Sequence, residues 1–205
     1  MKLRNISILV GVLLLLDQTL KVIIKTTMRI GESIILFPDW FQLRFVENNG
    51  AAFGMQISSG GEVDWGKMLL SGFRVCMICA LAYYIYYLIK RNAPKGVVIA
   101  MAMVFAGAVG NLIDSAIYGL IFSASTPLSV AEFGGEGYAA FMMGRVVDMF
   151  YFPLFQWNGI PGFLSFLVDS NNYFFGAIFN LADSYISVAV IYLLIFQWKY
   201  FNQEA

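Results

Sequence analysis

Phe179-Asn180-Leu181-Ala182-Asp183-Ser184-Tyr185-Ile186-Ser187-Val188-Ala189-Val190-Ile191-Tyr192-Leu193-Leu194-Ile195 is an apolar run with one carboxylate near its start. From Val188 onward it is greasy enough to sit in a bilayer. Asn180 and Asp183 are three apart, so on a helix they share a face. A second apolar run, Gly144-Arg145-Val146-Val147-Asp148-Met149-Phe150, also holds a single acid. A carboxylate inside a membrane helix costs roughly 2.5–3.5 kcal/mol even on lenient insertion scales, and the usual compensation is function. Two such carboxylates with polar neighbours point to a pair that shares a proton and does acid–base chemistry.

Composition supports a membrane setting. The 205 residues are 60% hydrophobic, 17% aromatic and 13% charged, with a mean hydropathy of +0.72. That is too apolar for an ordinary soluble domain, and the length suits one membrane domain spanning 1–205. The formal net charge is +0 and no basic stripe is present, which argues against a nucleic-acid partner. The chain has no histidine, so a Ser-His-Asp triad and a His-Glu-x-x-His zinc helix are excluded. Cys76 and Cys79 lie in an apolar segment and read as small apolar filler rather than a redox pair.

Four hydrophobic segments, at about 6–24, 68–89, 97–120 and 174–198, each approach the ~20 residues needed to cross a hydrocarbon core roughly 30 Å thick. The first resembles a secretory signal, but Asp17-Gln18-Thr19-Leu20-Lys21 stands where a small-residue cleavage site belongs. It reads as a retained anchor. The link Lys90-Arg91-Asn92-Ala93-Pro94-Lys95 holds cations and no anion, whereas the long loops at about 26–66 and 121–173 carry most of the acids. The positive-inside rule therefore puts both termini in the cytoplasm and both loops outside.

In the first loop, Phe41, Leu43 and Phe45 alternate with Gln42 and Arg44, the period of a half-buried strand. Pro38-Asp39 suits a turn before it and Asn48-Asn49-Gly50 a turn after it. A small extracytoplasmic sheet on the membrane surface fits this pattern. The second loop is rich in Phe, Tyr and Trp and is expected to dip into the interface. The expected class is thus an all-α membrane protein of four transmembrane helices with a small outer β-sheet.

Polar residues inside the apolar segments mark the candidate site. Asp17 and Lys21 are four apart on one helix face, either as a neutralised pair near the interface or as a substrate-side or headgroup contact. Asn111 and Asp114 are three apart on the third segment, as Asn180 and Asp183 are on the fourth. The two faces are expected to converge on one polar pocket near Asp148. Several buried acids in one small bundle are hard to stabilise without a purpose.

Taken in order, Asp17-x-x-x-Lys21, Asn48-Asn49-Gly50-Ala51-Ala52-Phe53-Gly54, Gly110-Asn111-x-x-Asp114, Gly144-Arg145-Val146-Val147-Asp148-Met149-Phe150 and Phe179-Asn180-Leu181-Ala182-Asp183-Ser184 resemble the blocks of the lipoprotein signal peptidase (signal peptidase II) family. The resemblance runs from the first helix to the last. It implies an aspartic endopeptidase of the bacterial cytoplasmic membrane that frees prolipoproteins of their signal peptides after a diacylglyceryl group is attached to the target cysteine. Asp148 and Asp183 take the catalytic positions. Asn48, Gly50, Asn111 and Asn180 match positions that hold substrate and orient the dyad, Asp114 a supporting one, and Asp17 with Lys21 a conformational or substrate-side one. No cofactor is implied; the partners implied are diacylglyceryl-modified prolipoproteins and membrane lipids.

Ser115 stands where the family commonly has arginine after Gly-Asn-x-x-Asp, and Arg145 is the expected substitute, with a headgroup anchor as its other reading. The stretch from 120 to 144 is longer than the compact members need. Amide hydrolysis by two carboxylates agrees with the absence of a serine–histidine site: the ionised one deprotonates water and the protonated one serves the leaving nitrogen. Rival readings are a proton- or ion-coupled transporter and an assembly protein glued by Asn and Asp. Lys67 and Ser71, four apart, would allow a Ser-Lys protease, but their place at the start of a helix favours an exposed interfacial lysine.

Overall fold

The computed structural model describes residues 2–38, 40–48, 65–162, 164, 168 and 171–204. Among these, three helices are long and apolar enough to cross a membrane: α1 (Leu3–Thr27), α2 (Trp65–Lys90) and α3 (Lys95–Ile113). α3 passes through a π-helical turn, Asp114–Tyr118, into the short α4 (Gly119–Ile121). The apolar rod as a whole therefore runs Lys95–Ile121.

α3 is the hub and packs against α1, α2 and α5 (Leu181–Phe196). Its buried residues are mostly small: Ala100, Ala102, Ala106, Gly107 and Gly110 among them. Small side chains let helix backbones approach closely where lipid offers no hydrophobic drive. Gly110 illustrates the need, since a Cβ there would meet Asp17 Oδ2 at 2.7 Å. Large apolar side chains such as Leu15, Leu69 and Ile195 are exposed, as a lipid-facing surface requires.

The expected strand forms as β2 (Phe41–Asn48) within an antiparallel sheet ordered β1-β2-β3-β4. The others are β1 (Ser33–Phe37), β3 (Val146–Tyr151) and β4 (Ile178–Phe179). Pro38 lies in the turn before β2; Asp39, Asn49 and Gly50, with the rest of 49–64, lie outside the described residues. The register sets Val46 against Asp148 and Asn48 against Val146. An apolar core of Ile24, Met28, Phe45, Tyr118, Phe122, Val147 and Met149 welds the end of α1, the π turn and the sheet into one block. A second core, around Ile6, Leu88 and Val97, closes the other end of the bundle.

Two expectations are corrected. The fourth apolar segment is not helical from 174, because Asn172 and Phe175 adopt positive φ (60° and 61°) and Ile178–Phe179 pairs with β3. Its helix starts at Leu181, breaks at Gln197, and resumes as α6 (Trp198–Glu204). Nor is 121–173 simply a loop. β3 lies within it as an inner strand: Val146, Val147 and Met149 are buried, and the strand pairs with β2 on one side and, through Phe150 and Tyr151, with β4 on the other.

Candidate active site

Each candidate residue is delivered by a different local device. Asn180 is the N-cap of α5: its side-chain oxygen accepts from Asp183 N–H at 2.9 Å, and its own N–H donates to Asp183 Oδ2 at 3.3 Å. This reciprocal capping box fixes Asp183 at the positive end of the helix. Asp148 comes from β3 and is buried. Asn180 Nδ2 donates to Asp148 Oδ1 at 2.7 Å, and Asn48 from the end of β2 donates to the other carboxylate oxygen. From α3, Asn111 Nδ2 donates to Asp183 Oδ1 at 2.8 Å and its oxygen accepts from Asn180 Nδ2 at 3.1 Å. Side-chain amides therefore bridge the two carboxylates in one network.

Behind the amides sits a buried ion cluster. Lys21 Nζ lies 3.0 Å from Asp17 and 2.8 Å from Asp114, and donates to Asn111 Oδ1 at 2.9 Å. Asp114 also accepts from Gln18 Nε2 at 3.0 Å and from Val147 N–H at 3.3 Å, which ties the π turn to the strand carrying Asp148. Asp17 Oδ1 accepts from Ala182 N–H at 2.9 Å, a further free donor of the first turn of α5. Every charge in the cluster has a partner, the condition under which ions survive burial.

The electrostatics separate Asp148 from an ordinary carboxylate. Burial pushes its carboxyl up to about 7, and the negative charge of Asp183 adds to the rise; the Asn180 hydrogen bond and Lys21 oppose it. Such a group carries a proton near neutrality beside a second acid.

The geometry unites Asp17, Lys21, Asn48, Asn111, Asp114, Asp148, Asn180 and Asp183. Gly50 lies outside the described residues. Arg145 is not brought to the amide network: it is 45% exposed and its guanidinium faces Glu47 at 3.6 Å and the Tyr138 ring at 5.6 Å. The cation at Ser115 is instead Arg74 of α2, whose Nη1 donates to Ser115 Oγ at 3.2 Å. Sequence reading misses Arg74, whose one signal is its place as a lone charge in the apolar run Gly72-Phe73-Arg74-Val75. Lys67 and Ser71 do not form a catalytic pair, since each donates to a backbone carbonyl, of Met143 at 2.8 Å and Met142 at 3.2 Å. Sequence reading also misses Gln18 and the buried trio Lys25, Glu47 and Ser125. Lys25 lies one further turn along the face of Asp17 and Lys21, and that spacing is its only sequence signal.

Comparison with known proteins agrees with this architecture. The family model for signal peptidase (SPase) II matches residues 9–199. A lipoprotein signal peptidase of Porphyromonas gingivalis is 41% identical over 197 residues, covering 94% of this chain and 82% of that protein. One from Pelodictyon phaeoclathratiforme is 30% identical over 191 residues, covering 93% of this chain and 88% of that protein. A bacterial membrane enzyme solved by the in meso method at 1.9 Å superposes with a TM-score of 0.62 at 25% identity, over 96% of this chain and 94% of that one. These matches set the transporter and assembly-protein readings aside. The chain belongs to the signal peptidase II family of aspartic proteases, which remove signal peptides from prolipoproteins.

Proposed function

We propose that Asp148 and Asp183 are the catalytic dyad of a single membrane-embedded endopeptidase unit, which hydrolyses the amide before a diacylglyceryl-modified cysteine. The observation that carries this reading is Asn180. One side chain donates to Asp148 and caps the helix that presents Asp183. In the reaction, Asp183 takes a proton from water as the water oxygen attacks the scissile carbonyl carbon. Asp148, protonated near neutral pH, hydrogen-bonds the carbonyl oxygen and then protonates the leaving nitrogen as the C–N bond breaks. Asn48, Asn111 and Asn180 hold the carboxylates, Lys21 with Asp17 and Asp114 holds the amides, and Gly50 belongs to the substrate-binding side.

The chain spans the bacterial inner membrane four times. The three long helices satisfy the length criterion outright. The 16 residues of α5 rise about 24 Å, and the extended 178–180 segment before it adds reach. Both termini and the 90–95 turn lie in the cytoplasm, and the sheet lies on the outer face with the dyad. Substrate enters laterally with its acyl chains still in lipid.

The test is cleavage of a diacylglyceryl-modified prolipoprotein by the purified protein, with the unmodified precursor as control. Asp148→Asn and Asp183→Asn each abolish signal-peptide release while the protein still inserts. The double variant is no worse than either single one, because the pair acts as one machine. Substantial residual cleavage by either single variant refutes the dyad.

A further inference from the structure

α1 buries two lysines one helical turn apart, and they reach opposite halves of the site. Lys21 binds Asn111, which holds Asp183. Lys25 serves the Asp148 half. It forms an ion pair with Glu47, the β2 residue immediately before Asn48, and donates to Ser125 Oγ at 3.0 Å. The Ser125 hydroxyl in turn donates to Glu47 Oε1 at 2.9 Å. The Lys25 ammonium lies over the rings of Tyr138 at 4.9 Å and Phe122 at 5.5 Å, close enough for cation–π attraction.

Phe122, Ser125 and Tyr138 all come from the long connection between α4 and β3. That connection has structure of its own: Phe122 bridges Phe133, and Ser123 N–H donates to Glu132 O at 3.0 Å. Tyr138 also grips the entry to β3, its hydroxyl accepting Arg145 N–H at 2.7 Å. The cage therefore holds β2 one residue from Asn48 and β3 three residues from Asp148, beside the hydrogen bond that joins them.

We infer that Lys25 is a positioning residue for the cleavage reaction. With Ser125 and Tyr138 of the 122–145 connection, it locks the β2–β3 pair so that Asn48 stays bonded to Asp148. This rests on the dyad reading above. A purely stabilising role fits poorly, since packed apolar residues usually hold a fold as well as a buried ion pair does. What the ionic cage adds is direction: Glu47 is drawn to one point by an ammonium and a hydroxyl that share the same oxygen.

The experiment compares cleavage of a diacylglyceryl-modified prolipoprotein by wild type, Lys25→Met, Lys25→Arg and the apolar pair Lys25→Met/Glu47→Leu, which leaves no buried charge orphaned. Expected is a kcat loss of roughly tenfold or more in Lys25→Met and in the apolar pair, with KM nearly unchanged, since misplacement of about 1 Å can cost a hundredfold. Lys25→Arg recovers part of the loss. In an Asn48→Ala background, Lys25→Met adds little, because both act on the same contact. Additive losses, or wild-type kcat in a folded apolar pair, overturn the inference while leaving the dyad intact. A wild-type protein that cleaves nothing overturns the dyad reading, and this inference with it.

Discussion

Asn180 and Asp183 close a reciprocal capping box at the start of α5, and the Asn180 amide also donates to Asp148 at 2.7 Å. One residue thus starts a helix and touches both acids. The two duties can be separated by substitution. Asn180→Ala loses both, and the missing cap costs about 1 kcal/mol, or a fall of about 2–4 °C in melting temperature for a chain of this size. Asn180→Ser keeps a capping oxygen but has no amide to offer Asp148. It is expected to melt near wild type yet cleave at least tenfold more slowly, the order lost when a positioning contact goes. Full activity in Asn180→Ser shows that the Asp148 contact is dispensable.

The raised carboxyl of Asp148 sets two pH trends. In its proposed role as general acid it must be protonated, so kcat is expected to decline as pH rises past about 7. For stability the sign follows from the folded value lying above the unfolded value of ~3.9. Below about 4 both states hold the proton. Between about 4 and 7 the unfolded carboxyl ionises while the folded one does not, so the contribution present at low pH is lost as pH rises through the folded value. The groups facing Asp148 are Asn180 and Asp183 of α5, Asn48 of β2, Lys21 of α1 and Asp114 of the π turn. Asp148→Asn removes the titrating group, so its melting temperature gains on wild type between pH 4 and 8. Curves that stay parallel across that range contradict the assignment.

Helix α1 and the convergence of Asn111 with Asp183 were legible because periodicity and i,i+3 spacing are local facts. The sheet was legible only at β2, where Phe41, Leu43 and Phe45 alternate with Gln42 and Arg44, although only Phe45 is fully buried and the rest of the strand is half-buried. β3 was not, because an inner strand has apolar residues on both faces and reads like a membrane segment. The start of α5 was misjudged for a related reason. Phe174-Phe175-Gly176-Ala177-Ile178-Phe179 is as greasy as a helix, and only backbone conformation and pairing with β3 show that it is extended. Arg74 and Lys25 escaped notice because their partners, Ser115 and Glu47, are 41 and 22 residues away.

Topology is open to labelling. In a variant without the exposed Cys76 and Cys79, single cysteines at Ser129 and Asn92 report opposite sides, both positions being exposed. Ser125 is unsuitable because Lys25 and Glu47 bury its hydroxyl. An impermeant thiol reagent applied outside intact cells is expected to modify position 129 and spare position 92. The reverse pattern inverts the orientation and places the sheet in the cytoplasm.

Arg74 and Arg145 compete for the role of the cation at Ser115, and their surroundings separate them. Arg74 bonds Ser115 and lies within electrostatic reach of Asp183 and Asp114. Arg145 is engaged with Glu47 and Tyr138 at the sheet. A guanidinium beside the proposed dyad presents several donors in a fixed plane, suited to peptide or ester carbonyls of the substrate. Arg74→Gln is therefore expected to raise KM about tenfold, the loss of roughly 1.4 kcal/mol typical of one charged hydrogen bond. Moving the charge one helix across, as Arg74→Gln/Ser115→Arg, restores part of the affinity because the guanidinium again lies next to Asp114. Arg145→Gln acts through the sheet and is expected to lower kcat more than it raises KM. A large KM effect in Arg145→Gln, with none in Arg74→Gln, reverses the assignment of the two arginines.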